Sequence, residues 1–169
     1  PFKLCQISGF GFKRIDAIYR KNNQVLNSPQ RIHGAVYETL NTQRNENGHL
    51  YLETEYLMKM VFQLLNEKII QPQARVKSEE IAAVLESMIL KGEVVSNNGR
   101  IYQVLCFVQE DETALKIAKM IAVPPEKINI DTAMEEIRKN LGIALSQKQS
   151  EAVYMAFRSN LSIITGSPG

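Results

Sequence analysis

"EVVSNNGRIYQVL", residues 93–105, is where the hydrophobic period of this chain changes from helical to alternating. Two runs rich in β-branched residues flank Asn98-Gly99, the pair a tight type I′ hairpin turn demands, because both central residues of that turn need a positive φ. Immediately upstream, a stretch opening at Ser78 as N-cap places Ile81, Leu85 and Met88 at helical spacing and stops at Gly92.

A helix that passes at once into a β-hairpin is the plan of a winged-helix-like unit. A plain hairpin packed on helices, with no DNA role, fits the same residues at least as well. Working outward, the rest reads mostly as helix. Asn27-Ser28-Pro29 is a start signal, with Ser28 at N-cap and Pro29 at N1, followed by Ile32, Val36 and Leu40. Thr54 opens another helix with Leu57, Val61 and Leu64 on one face. Downstream, a helix fits 111–122, with Asp111 near its start and Leu115, Ala118 and Ile121 inward. "VPPEKINID" (123–131) reads as a linker, since two prolines break regular structure. Asp131 then caps a helix carrying Met134, Ile137 and Leu141 and ending at Gly142. The main boundary is expected between residues 105 and 130.

Composition narrows the function classes. With 169 residues and 44% hydrophobic content, the chain can bury one core or two small ones. No apolar run approaches the roughly 18 residues of a membrane span, and no signal-peptide pattern opens the chain. Cys5 and Cys106 lack CxxC or Cys/His spacing, which argues against a disulfide framework or zinc site and for a reducing cytosol. His33 and His49 stand alone and read as structural or surface residues. No carboxylates cluster at metal-ligand spacing, so a nuclease is not indicated. Net charge is only +2, yet residues 1–44 carry seven Lys/Arg (Lys3, Lys13, Arg14, Arg20, Lys21, Arg31, Arg44) against Asp16 and Glu38. That basic leading end points to an anionic partner, or to a merely solvated face.

Within it lies "LCQISGFGFKRIDAIYRK" (4–21). Gly9 and Gly11 flank Phe10 and precede an amphipathic helix with Ile15, Ile18 and Tyr19. Glycines at this spacing permit a tight inter-helix turn and close backbone approach. The N-terminus of the following helix offers N–H groups and a positive dipole end to a phosphate, with Lys13 and Arg14 in its first turn. The stretch resembles the helix-hairpin-helix motif of DNA repair and processing proteins, apolar-x-Gly-x-Gly-x-x-x-Ala: Ile7, Gly9 and Gly11 match, while Ile15 replaces the small alanine. Contacts made this way go to the sugar-phosphate backbone and are independent of base sequence.

At the other end, "LSQKQSEAV" (145–153) has the S-x-x-Q spacing of a capping box between Ser146 and Gln149, and the same glutamine could pair with an adenine edge. "NLSIITGSPG" (160–169) is an apolar strand feeding a glycine loop, as a P-loop begins: Gly166, Ser167, Pro168 and Gly169 would be its first four positions. Together these stretches resemble the RecD-like helicases, whose motifs run Leu-Ser-x-x-Gln and Gly-x-Pro-Gly-Thr-Gly-Lys-Thr. Gln149, Gly166, Pro168 and Gly169 match by position. "PFKLCQISGFGFKRIDAI" and "GHLYLE" (48–53) resemble further segments of that family, in its stand-alone, N-terminally extended branch related to the exodeoxyribonuclease V alpha subunit.

The resemblance implies the N-terminal region of a larger, cytoplasmic bacterial protein, an ATP-dependent 5′→3′ DNA helicase of repair and recombination. ATP would be met by Gln149 and Gly166 to Gly169, and DNA by Gly9, Phe10, Gly11, Lys13 and Arg14. ATP and Mg²⁺ would serve the larger protein. None is expected to be held by these residues alone, which lack the P-loop lysine and Mg²⁺-ligating hydroxyl, so no catalytic or metal-binding residue is assigned. No membrane partner is implied, and protein partners stay unassigned. A non-enzymatic DNA- or protein-binding adaptor is the other reading. The expected fold is mainly α. It comprises a helix-hairpin-helix bundle over 1–70, a winged-helix-like unit with a β-hairpin over 71–108, and over 109–169 a linker and the truncated start of a P-loop α/β motor domain. Residues 160–169, without a surrounding sheet, are expected to be disordered or irregularly paired.

Overall fold

The computed structural model describes residue 2 and residues 11–22, 25–126, 128–142 and 144–166. It is mainly helical with a small sheet, and the chain forms two units, Pro1–Gln109 and Glu110–Gly169.

In the first unit, α1 (Phe12–Asn22) is followed by α2 (Pro29–Asn47), β1 (Tyr51–Glu53), α3 (Thr54–Asn66), a 3-10 turn at Pro72–Ala74, α4 (Ser78–Leu90), β2 (Val94–Asn97) and β3 (Arg100–Gln103). Ser28 starts α2 as expected: its hydroxyl accepts from the Arg31 N–H, and Pro29 stands at the first turn, where no partner is needed for a missing N–H. Gly48, at φ 71°, ends the same helix, and the N–H groups of Gly48 and His49 close on the carbonyls of Arg44 and Gln43. The start of α4 falls one residue earlier than expected. Lys77, whose side chain cannot accept, is the capping position, and Glu80 supplies the acceptor by reaching back to the Lys77 N–H at 2.8 Å.

The hairpin forms where Asn98-Gly99 demands it, with φ values of 50° and 76°. β3 is central, antiparallel to β2 on one side and to β1 on the other, with Tyr51 opposite Tyr102 and Glu53 opposite Arg100. The stretches 1–70 and 71–108 therefore share one sheet. They also share one core: Ile32, Val36 and Leu40 from α2 meet Leu57, Val61 and Leu65 from α3 and Ile81, Leu85 and Met88 from α4, with Leu52, Val94 and Ile101 closing it from the sheet. Leu65 takes the buried place expected for Leu64, which is partly buried. Asn66 is buried and fastens the connection to α4, exchanging hydrogen bonds with Val76 at 2.9 and 3.0 Å.

α5 (Val104–Ala122) runs across the division between the units. It starts seven residues earlier than its expected opening near Asp111, because β3 passes into it without a loop. In the second unit it is followed by α6 (Ile130–Leu141) and α7 (Gln147–Arg158). The expected inward face of α5 is not covered: Leu115 and Ile121 are exposed. Asn129, not Asp131, is the capping position of α6, and the Asp131 carboxylate instead accepts from the Tyr154 hydroxyl of α7 at 2.6 Å. That hydrogen bond raises the Tyr154 pKa, since losing the proton would abolish it. Gly142 ends α6 at φ 62°, as expected. Residues 161–166 form neither helix nor strand, and Ile163 and Ile164 are exposed. Among the described residues, no helix is long and apolar enough to cross a membrane.

Candidate nucleic-acid interface

The basic residues of the first 44 positions have different fates. Arg31 is 0% exposed. Its guanidinium donates to both oxygens of buried Asp16, Nη2 to Oδ2 at 3.0 Å, and to the carbonyls of Leu26 and Leu65 at 2.7 and 2.9 Å. Arg20 brings Nε within 2.8 Å of Asp16 Oδ2, close enough for an ion pair though not aligned as a hydrogen bond, and Nη2 reaches the Leu65 carbonyl. Arg44 donates to Gln103 Oε1 at 3.2 Å. Lys3 lies outside the described residues.

What faces solvent is one side of α1. Lys13, Arg14, Ala17, Ile18 and Lys21 fall on a single face at helical spacing, and all five are exposed. Ile18, one of the apolar residues of this amphipathic helix, is 58% exposed; Phe12, Ile15 and Asp16 form the buried side. Lys13 has only a loose ion pair, 4.0 Å to Glu67, with its side chain 76% exposed. The first turn of α1 carries no acid, so the positive end of the helix dipole and two cations add. Lys21, a third cation on this face, was not singled out from sequence, although its spacing of eight from Lys13 carries the signal.

Gly11 opens α1 by accepting from the N–H groups of Arg14 and Ile15. Among the described residues, nothing comes closer to it than ordinary contact. Its φ is not positive, and a Cβ there would meet Glu38 Oε1 at 3.5 Å, an ordinary contact. Close approach occurs instead at Gly34 of α2, where a Cβ would stand 3.0 Å from the Phe2 ring. Phe2 in turn packs on Phe12 and Tyr19, with ring centroids 5.6 and 5.0 Å away. Gly9 and Phe10 lie outside the described residues.

Of the five expected ATP-contacting positions, Ser167, Pro168 and Gly169 also lie outside them. Gln149 is exposed and acts in the capping box: Oε1 accepts from the Ser146 N–H at 2.9 Å, while Ser146 Oγ accepts from the Gln149 N–H at 3.3 Å. Gly166 is exposed, with no atom within 4 Å of a Cβ built on it. Among the described residues, no group of three His, Cys, Asp or Glu side chains could hold a metal ion.

Residues 1–51 match the family described as the ATP-dependent RecD2 DNA helicase HHH domain, a span that contains α1, α2 and the exposed basic face. Over 99% of its length the chain is 26% identical to the ATP-dependent RecD2 DNA helicase of Deinococcus radiodurans. It spans 24% of that protein, about a quarter. The chain is thus similar at its N-terminus to the helix-hairpin-helix domain of RecD2 helicases, and along its length to one such helicase.

Proposed function

We propose that this chain is the N-terminal DNA-binding region of an ATP-dependent 5′→3′ DNA helicase acting in repair and recombination in the bacterial cytoplasm. The exposed face of α1 grips the sugar-phosphate backbone through Lys13, Arg14 and Lys21, in a manner independent of base sequence. The observation that carries this reading is the sorting of cations: Arg31 is consumed by the core, whereas α1 turns three others outward, Lys13 and Arg14 beside its positive dipole end and Lys21 in its last turn. Gly9, Phe10 and Gly11 would bring the preceding backbone to the same phosphates. Base-edge recognition is not part of the proposal.

Order and pairing of α2, β1, α3, α4, β2 and β3, with β3 between β1 and β2, support a winged-helix reading of the first unit. In that arrangement α4 would hold the place of the groove-entering helix. Its solvent side carries Glu79, Ala83, Glu86 and Leu90, a surface that repels phosphate and suits a protein partner. That observation favours an adaptor role for α4 alongside DNA binding by α1. The second unit would lead into a P-loop motor domain, in which Gln149 and Gly166 to Gly169 contribute to the ATP site and Mg²⁺ accompanies the nucleotide. The 169 residues alone would not hydrolyse ATP, because the lysine and hydroxyl that stabilise phosphoryl transfer are not among them.

Fluorescence anisotropy of labelled duplex DNA, titrated with the chain at several salt concentrations, tests the α1 proposal. Binding should weaken with salt, and Lys13→Ala/Arg14→Ala should reduce the log–log slope by about 2, near 0.9 for each phosphate contact. An unchanged slope in the double variant would sink it.

A further inference from the structure

Alternation along the three-stranded sheet turns Leu52, Val94 and Ile101 into the core, which sets Tyr51, Arg100 and Tyr102 on the opposite face. There they form a continuous stack. The Tyr51 and Tyr102 rings lie 5.1 Å apart, Phe107 meets Tyr102 edge-on at 5.2 Å, and the Arg100 guanidinium carbon sits 4.5 Å from the centre of the Tyr51 ring. Exposure rises along the stack, from buried Tyr102 through half-buried Tyr51 to exposed Arg100. Its solvent end is thus a guanidinium held over an aromatic ring.

The hairpin carrying Arg100 is itself anchored. The N–H and hydroxyl of Thr54, the first residue of α3, both donate to the Gly99 carbonyl at 2.9 Å. Glu53 faces Arg100 across the strands, yet among the described residues Arg100 makes no ion pair.

We infer that this sheet face binds single-stranded DNA, one unpaired base stacking on the Arg100–Tyr51 pair while the guanidinium meets the adjacent phosphate. A guanidinium plane and an aromatic ring both accept the flat face of any base, so such a site tolerates sequence. Duplex DNA keeps its base faces stacked inside the helix and offers the site only a phosphate. The choice of DNA as partner rests on the function proposed above, but the site shares no residue with α1.

The test is anisotropy of a labelled oligothymidylate of about 15 nucleotides, beside a blunt duplex, using the 169-residue chain. Arg100→Ala should weaken oligothymidylate binding about fivefold or more, the value of one lost base stack, and leave duplex binding essentially unchanged. Arg100→Lys keeps the charge without the plane and should restore only part of the loss. Arg100→Gln carries the same expectation as Arg100→Ala should the alanine variant unfold. Unaltered oligothymidylate affinity in these variants, full rescue by lysine, or no binding by the wild-type chain would overturn the inference. Lys13→Ala/Arg14→Ala, measured in parallel, separates the two readings. Loss confined to that variant sinks the sheet site alone, and loss confined to the Arg100 variants sinks the α1 reading alone.

Discussion

Arg31 is a cation that the fold uses for itself. With its guanidinium held by Asp16 and two main-chain carbonyls, it ties α1 to α2 and α3 and so sets the angle at which Lys13, Arg14 and Lys21 face outward. Removing one member of a buried pair leaves the other charge uncompensated. Asp16→Ala should therefore destabilise the first unit by about 3 kcal/mol or more, readable as a large drop in the denaturant midpoint. Gly11 makes the opposite case. Its φ and its described surroundings accept a Cβ, so Gly11→Ala should leave stability level or raise it by at most about 1 kcal/mol, read as an unchanged or slightly higher melting temperature. Gly34→Ala, pressing on Phe2, should lower it.

At the scale of elements, Glu80 joins two helix starts. Its carboxylate accepts from the Lys77 N–H at the head of α4 and from the Asn27 amide in the loop before α2. Those two hydrogen bonds, the Lys77 one foremost, hold its carboxyl below the usual carboxylate range, with slight burial opposing them. A depressed folded-state pKa contributes stability that is present above the unfolded value of about 4.3 and is lost as pH falls through the lower folded value. Glu80→Ala should cost roughly 1 kcal/mol at pH 7, and the gap from wild type should close as pH drops below about 4.3. Thermal melts of both proteins across that range would show it; a gap independent of pH would contradict it. The early start of α5 is also an element-scale effect: nothing in 104–110 marks a helix start, and the chain simply continues from β3 as helix.

On the scale of the molecule, the two units differ in how much they bury. Nearly the whole described core lies within Pro1–Gln109, whereas Ile130 is the buried apolar residue of Glu110–Gly169 among those described. Leu115, Ile121, Ile137, Phe157 and Ile163 of the second unit stay exposed. Residues 1–109 expressed alone should unfold in one cooperative transition, and residues 110–169 alone should melt gradually, as helices without a shared core do. Circular dichroism melts of the two pieces would decide. A sharp transition for 110–169 would show that it holds a core of its own.

Local chemistry alone determined the features that depend on a few neighbouring residues. Ser28 and Pro29 start a helix, Asn98-Gly99 reverse the chain, Ser146 and Gln149 cap reciprocally and Gly142 ends a helix, because each needs only groups within a few positions. The helix-hairpin-helix resemblance was legible for the same reason, as a short contiguous motif. Only the tertiary structure decided that Arg31 is core and Lys21 surface, that Ile18 faces water, that β1 joins the hairpin, and that Arg100 comes to rest over Tyr51, forty-nine positions away. Burial and pairing are properties of what packs against a residue, and those partners lie far along the chain.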